Sequence, residues 1–381
     1  MKAQYIVHLG KNRTLSLSEI EATTGEVPVL AGNAALLGKL PTSPKKFLNQ
    51  LGGAIKLSEI VWDGPGEADI IAQELQKQKP EGKLAFGINI YPENRKKLDT
   101  LLRAVKKVLK TNGRNSRFPN KGGNLSSATI VKGGLMKHQT DFNLIQIDNQ
   151  TLISRTVAVQ DFEGYSQRDY EKPARLAKAG MLPPKLAQTM INMSQLVTGP
   201  CDLTNQTVYD PFCGSGTILG EGLIKEMHVI GSDLSEEAIE AAQINLPWIK
   251  QKFHTPGNHT LFLKDATQLT KADLPTPPDM VITETYLGPP RSVVLSPEKI
   301  YEFYDDLMPL YLNFLETIHP LLNPKTPLVI AFPVYHAAKG PIRLPKLVEQ
   351  ILPIGYKLNR ELIYHRSDQV VGRHILILEH T

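Results

Sequence analysis

The ten residues from Val208 to Thr217, Val-Tyr-Asp-Pro-Phe-Cys-Gly-Ser-Gly-Thr, constrain the fold of this chain more than any other stretch. The apolar run from Thr207 to Tyr209 predicts a strand, the two glycines a tight turn, and Thr217 to Met227 a helix. In that order these elements build a nucleotide-type ligand site at the carboxyl end of a parallel strand, which places the chain among the α/β folds. Glycine is needed where the backbone takes a positive φ and a ligand must come close. Asp210 narrows the ligand further. A carboxylate here repels a pyrophosphate and attracts an ammonium group, so the ligand is expected to be cationic.

S-adenosylmethionine, with its α-amino group and sulfonium, meets that demand; NAD and ATP do not. The next segments extend the pattern. Val229 to Leu234 predicts a second strand, and Asp233 follows Asp210 by 23 residues. That is close to the ~20 of a ribose-binding carboxylate after a glycine loop. Asp233 can accept from both ribose hydroxyls, or it can cap the helix that opens at Ser235-Glu236-Glu237-Ala238. A third strand, His259 to Leu263, leads into Lys264-Asp265-Ala266-Thr267.

A length of 381 residues suggests two or three domains, and two cysteines exclude both a disulfide scaffold and a cysteine zinc site. The ten histidines have no metal-ligand spacing, so no metal is expected. No apolar run approaches a membrane span and the N-terminus lacks a signal-peptide pattern, which predicts a soluble cytoplasmic protein without membrane contact. The net charge of +5 hides an asymmetry, with residues 1–160 at +10 and residues 161–381 at −5. Between Arg95 and Lys137 stand 12 basic residues against Asp99 alone. Such a split favours a polyanion-binding module joined to a catalytic half.

Three domains are expected. Residues 1–80 read as a small α+β domain, with a strand from Gln4 to Leu9, a capping box at Ser16-Leu17-Ser18-Glu19, a strand at Ala54 to Ile60 and a helix at Glu67 to Lys79. It ends at the turn Gln78-Lys79-Pro80-Glu81-Gly82. Residues 81–160 begin with a strand at Leu84 to Tyr91. The helix Glu93 to Lys110 then sets Leu98, Leu101, Leu102, Val105, Val108 and Leu109 on one stripe. Arg95, Lys96, Arg103, Lys106, Lys107 and Lys110 occupy its other face, followed by Arg114, Arg117, Phe118 and Lys121. These ten are the candidate RNA-binding residues, with Phe118 as an aromatic contact. A strand at Ala128 to Val131 and a hairpin from Phe142 through Asp148-Asn149 to Ile153 follow. In residues 161–381, a helix from Lys185 to Leu196 precedes the glycine strand. Helix Glu298 to Leu315, strand Leu328 to Phe332, helix Leu344 to Leu352 and the hairpin Tyr356–Tyr364 with His374–Leu378 complete a seven-strand pattern. Arg366 to Arg373 reads as the hairpin connection, with a substrate-facing loop as the alternative.

The words Asp-Pro-Phe-Cys-Gly-Ser-Gly-Thr from Asp210 resemble the first motif of amino-group methyltransferases acting on nucleic acids, in the form used by the RNA branch. With Arg168-Asp169, Met181-Leu-Pro-Pro-Lys-Leu-Ala187 and Asn192, the chain resembles the THUMP-containing tRNA guanosine-N2 methyltransferases of the guanosine-10 type. The resemblance is loose over the first 80 residues. It implies a Rossmann-like seven-stranded methyltransferase sheet behind an α+β THUMP-like region, with S-adenosyl-L-methionine as cofactor and tRNA as partner. Cofactor contacts fall on Asp210, Pro211, Cys213, Gly214, Gly216, Thr217, Asp233, Leu234, Asp265 and Ala266, with Asp265 accepting from the adenine amino group. A partner protein is not excluded.

At the catalytic position the sequence departs from the family. Asp-Pro-Pro-Tyr is usual after the fourth strand, because an exocyclic amine is a poor nucleophile that acceptors must hold while an aromatic ring stacks on the extruded base. Here Thr283-Glu284-Thr285-Tyr286 replaces it. Glu284 is expected to take over as acceptor and to pair with the amino and ring N–H of guanine, beside Thr283 and Tyr286. Adenine presents no ring donor there. The alternatives are an adenine-N6 methyltransferase and an RNA-binding pseudo-methyltransferase.

Overall fold

The structure is a computed structural model that describes residues 3–78, 82–147, 150–176, 181–289, 294–337, 340–366 and 369–381. The chain divides into two compact units, Met1–Leu17 with Glu26–Glu163, and Ser18–Gly25 with Gly164–Thr381.

The first unit contains β1 (Tyr5–Leu9), the start of α1 (Arg13–Thr24), β2 (Val29–Ala31), β3 (Ala34–Leu37), α2 (Pro44–Gln50), β4 (Ala54–Asp63) and α3 (Glu67–Lys77). After β5 (Leu84–Ala85) and β6 (Gly87–Tyr91) come α4 (Arg95–Thr111), β7 (Ser116–Arg117), α5 (Ser127–Lys132), β8 (Asp141–Ile147) and β9 (Gln150–Val159). One seven-stranded sheet runs β2-β3-β1-β4-β9-β8-β6. Because β4 pairs with β9 from Lys56↔Val159 to Asp63↔Leu152, the segments on either side of residue 80 share this sheet and fall in one unit. The boundary expected near residue 80 does not separate two sheets; its turn residues 79–81, like Asp148-Asn149, lie outside the described residues.

Two local readings are corrected. Ala128 to Val131 lies in helix α5, whose N-cap Ser126 accepts from the Thr129 N–H. Helix α1 starts before the expected capping box: Asn12 Oδ1 accepts from Leu15 N–H at 3.2 Å, and Ser16 Oγ inside the helix donates to Gly53 O at 2.7 Å. The amphipathic reading of α4 is borne out, with Leu98, Leu101, Leu102, Val105 and Leu109 buried against Phe86, Ile88, Phe142 and Leu144.

The second unit begins with α6 (Phe162–Tyr170), which straddles the division, then α7 (Pro184–Met193) and α8 (Gln195–Thr198). Next come β10 (Thr207–Asp210), α9 (Thr217–Ile224), β11 (His228–Asp233), α10 (Glu236–Phe253), β12 (His259–Leu263) and β13 (Met280–Glu284). The unit closes with α11 (Pro297–Ile318), β14 (Pro327–Ala337), β15 (Gly340–Ile342), α12 (Leu347–Gly355), β16 (Tyr356–Tyr364) and β17 (Val371–His380). Its sheet runs β12-β11-β10-β13-β14-β17-β16, with β15 on β14. Strands β10 to β14 are mutually parallel, while β17 runs antiparallel to both β14 and β16. From β10 the chain winds outward to β11 and β12, then returns to the other side at β13. That reversal opens a crevice at the carboxyl ends of β10 and β13, where ligands of open α/β sheets bind. The core beneath it packs Tyr209, Val281, Tyr304, Tyr311, Phe314, Phe332 and Tyr335. The closing hairpin was expected from the sequence.

Candidate active site

Three carboxylates end three neighbouring parallel strands beside the crevice: Asp210 on β10, Asp233 on β11 and Glu284 on β13. Asp210 is 1% exposed. Its Oδ1 accepts from Thr283 Oγ1 at 2.6 Å and from the Phe212 N–H at 3.2 Å. Burial pushes the carboxyl up to about 8; the two hydrogen bonds oppose that rise, and the negative Asp233 and Glu284 add to it. The neighbouring charges thus have the wrong sign to hold Asp210 ionised, so the site is built for a ligand that brings a cation.

The loop after Asp210 has the backbone its glycines predict. Gly214 has φ +51° and Gly216 has φ +82°. A Cβ on Gly216 would press on Leu246 Cδ2 at 3.3 Å and Ala242 Cβ at 3.5 Å, so this glycine serves the turn and the packing of α9 on α10. A Cβ on Gly214 would meet nothing within 4 Å, which leaves open space beside the loop. Cys213 is buried and its thiol is held well above the usual range by burial, so it stays protonated and inert. Asp233 Oδ2 accepts from the Gly214 N–H at 2.8 Å and Oδ1 from the Ser235 N–H at 2.9 Å. Ser235, not Asp233, caps α10, accepting from the Ala238 N–H. Asp265 Oδ1 accepts from Thr267 N–H at 2.8 Å and Oγ1 at 2.7 Å, which is a turn-capping role.

One cavity is lined by Leu176, Met181, Leu182, Asp210, Phe212, Cys213, Gly214, Ser215, Thr217, Ile218 and Glu284. Asp210, Cys213, Gly214, Thr217 and Glu284 are therefore brought together. Pro211, Gly216, Asp233, Leu234, Asp265, Ala266 and Tyr286 are not among its lining residues. Leu234 is 73% exposed and Ala266 is buried. A wider depression of about 390 Å³ beside Glu316, His319, Gln350, Pro353 and Ile354 is lined by none of the loop residues.

The segment from Thr283 to Tyr286 divides by strand alternation. Thr283 is fully buried and gives its hydroxyl to Asp210, so it supports that carboxylate and does not face a substrate. Thr285 Oγ1 donates to Ala331 O at 3.1 Å. Glu284 lies on the cavity wall, with Oε2 accepting from Arg373 Nε at 2.6 Å. Tyr286 is 51% exposed, and its carbonyl accepts from Tyr311 Oη at 2.6 Å. Tyr335 Oη likewise donates to Leu287 O at 2.8 Å, fixing the loop backbone that carries the Tyr286 ring.

Two residues escaped the sequence reading. Arg373, placed in a hairpin connection, belongs to β17 and touches Glu284. Lys172 is buried with Nζ 2.7 Å from Thr217 Oγ1 at the start of α9. Burial brings its ammonium down to about 8, against the pull of Glu221 and Asp169. Arg168 pairs with the buried Glu221 at 2.6 Å beside it. A cation four residues after Arg168, just before a proline, was the available signal, and nothing local distinguished it from a surface lysine.

In the first unit Arg95, Lys96, Arg103, Lys106, Lys107, Lys110, Arg117 and Lys121 are exposed as expected, and Arg114 is half-buried. Phe118 is half-buried, edge-on to Phe86 at 5.8 Å and under Lys106 Nζ at 5.7 Å, so its ring is not a free stacking platform. No group of His, Cys, Asp and Glu among the described residues could hold a metal ion, and no described helix is long and apolar enough to cross a membrane.

Comparison with known proteins gives matches to methyltransferases. A family model described as DNA methylase matches residues 51–244, half of the chain, and one described as RMKL-like, methyltransferase domain matches residues 172–344. Both contain Asp210 to Thr217. A tRNA (guanine(10)-N2)-dimethyltransferase of Methanothermobacter thermautotrophicus is 30% identical over 126 residues, 33% of this chain and 35% of that protein. Its namesake from Pyrococcus abyssi is 24% identical over 179 residues, 46% of each. The chain thus spans about a third to a half of the length of these relatives. Among solved structures, TrmN from Thermus thermophilus superposes with a TM-score of 0.55 at 15% identity, covering 99% of this chain and 100% of that one. A possible methylase from Clostridium difficile 630 gives 0.50 at 13% identity, covering 100% and 98%. At such identities these two structures establish the fold alone.

Proposed function

The chain belongs to the family whose model is described as DNA methylase, and we propose that it methylates the exocyclic N2 of a guanosine in tRNA, the reaction named for the tRNA (guanine(10)-N2)-dimethyltransferases that it resembles. The observation that carries the reading is one cavity walled by both Asp210 and Glu284. The residues fit S-adenosylmethionine. Asp210 offers a buried carboxyl, pushed up to about 8, that a bound cation would favour in its ionised form, Gly214 leaves the loop open, and Asp233 stands at the end of β11 with lone pairs beyond those given to the Gly214 and Ser235 amides. When bound, this cofactor supplies an electrophilic methyl group on a sulfonium.

The chain's own residues do the rest by holding and shielding. Glu284 offers a carboxylate to the two adjacent donors of guanine, the N2 amino group and N1–H, so that the amine is held and oriented. Tyr286 presents a half-exposed ring for stacking on an extruded base, on backbone fixed by Tyr311 and Tyr335. Methylation at N2 releases one N–H proton, which passes to solvent. The exposed cations of α4, with Arg117 and Lys121, hold the phosphate backbone in a region that we read as THUMP-like.

The test is methyl transfer from labelled S-adenosylmethionine to unmodified total tRNA, followed by nucleoside mass spectrometry. N2-methylguanosine that disappears with Glu284→Gln is the expected result. N6-methyladenosine instead would establish the second reading, which the DNA methylase match favours. S-adenosylhomocysteine binding without any transfer would make the chain a binding protein.

A further inference from the structure

We infer that Arg373 is a positioning residue for the reaction, holding the Glu284 carboxylate at the cavity wall so that its second oxygen is offered to the guanine edge. The inference rests on the proposed function and deepens it. In register, Glu284 on β13 lies opposite Ala331 on β14, and Arg373 on β17 lies opposite Pro333 of the same strand. The two residues therefore sit on strands flanking β14, a separation of about 9–10 Å across the sheet. A side chain as long as arginine is needed to cross it. The contact is Nε to Oε2 at 2.6 Å, with the two side chains 4% and 14% exposed, and Arg373 Nη1 also donates to Gln369 Oε1 at 3.3 Å.

The pair answers a difficulty raised by the sequence. Strand alternation turns position 283 inward, where Thr283 serves Asp210, so the acceptor has moved one residue along to Glu284. A glutamate has one more rotatable bond than the aspartate usual at the catalytic position, and a carboxylate free to swing would lose the fixed orientation that transfer needs. Arg373 removes that freedom by engaging Oε2 and leaving Oε1 for the substrate. A carboxylate held in that place suits an edge with two donors and opposes an adenine edge, where an acceptor sits beside the amine.

The experiment compares the whole protein with Glu284→Gln, Arg373→Met, Arg373→Lys and the double variant Glu284→Gln/Arg373→Met. It measures kcat and KM for tRNA and the affinity for S-adenosylhomocysteine. Arg373→Met is expected to lower kcat by about 10–100-fold, by analogy with the loss of partners that orient metal-ligating side chains. Cofactor affinity should stay close to wild type, and Arg373→Lys should regain part of the loss. In the Glu284→Gln background, Arg373→Met should add little, because the group it positions is already disabled. Losses that multiply in the double variant, or a fall in cofactor affinity matching that in kcat, would make Arg373 merely structural. A wild-type protein that binds S-adenosylhomocysteine but transfers nothing overturns the proposed function itself, and the inference with it. That case is told apart because the wild type is then silent before any variant is read.

Discussion

Asp210 has opposite effects on stability and on binding. Its carboxyl titrates near 8 in the folded protein, against 3.8 for an ordinary aspartate. The folded state therefore keeps a proton that the unfolded chain gives up. Stability contributed by the neutral form is present at low pH and declines as pH rises from the unfolded value to about 8. Asp210→Asn, neutral at every pH, should match wild type near pH 4 and exceed it at pH 8–9 by a few kcal/mol, on the order of the burial cost of a carboxylate. Urea unfolding at the two pH values checks this; an equal difference at both would refute it. The same variant should lose S-adenosylhomocysteine binding. In the wild-type protein, cofactor affinity should climb between pH 6 and 8 as the carboxylate forms, which calorimetry would read as proton release on binding.

Among the elements, β6 depends on side chains to finish its hydrogen bonding. It is the last strand of the first sheet, with β8 on one side alone. Along its other edge Asn120 accepts from the Ile88 N–H at 3.4 Å and donates to Ile88 O at 2.8 Å, while Asn124 does the same for Ile90 at 2.8 and 3.0 Å. Two side-chain amides thus stand in for a missing strand and block the edge from pairing with another chain. Asn120→Ala leaves buried Ile88 groups unsatisfied and should cost about 1–3 kcal/mol in urea unfolding. A change below a few tenths would show that water replaces the amide. Elements of this length also mark where sequence reading failed. Helix α4 was legible because 17 residues hold a 3.6-residue period long enough to declare itself. Helix α5 has six residues rich in threonine, isoleucine and valine, too few to separate a helix from a strand by period, and its Ser126 cap outweighed their strand preference.

For the molecule as a whole, charge is divided between a basic first part and an acidic remainder. The exposed cations of α4 are expected to provide most of the affinity for tRNA and little of its sequence preference. Lys106→Ala and Lys107→Ala together should weaken tRNA binding and reduce the slope of log affinity against log salt by about 2, while S-adenosylhomocysteine affinity holds. An unchanged slope in filter binding would remove α4 from the interface.

Four features were legible in the sequence alone: the glycine loop, the carboxylate of Asp210 that calls for a cationic ligand, the succession of strands and helices around it and the two faces of α4. Each of these rests on residues within a few turns of one another, where local chemistry dictates the outcome. Folding was needed to bring Thr283 to Asp210, 73 residues away, and to set Arg373 against Glu284 across 89 residues. It also joined β4 to β9 into one sheet through the expected boundary. Those contacts follow from strand register and side-chain alternation between distant segments. A one-residue slip would turn every side chain to the other face, and no stretch of sequence carries that information alone.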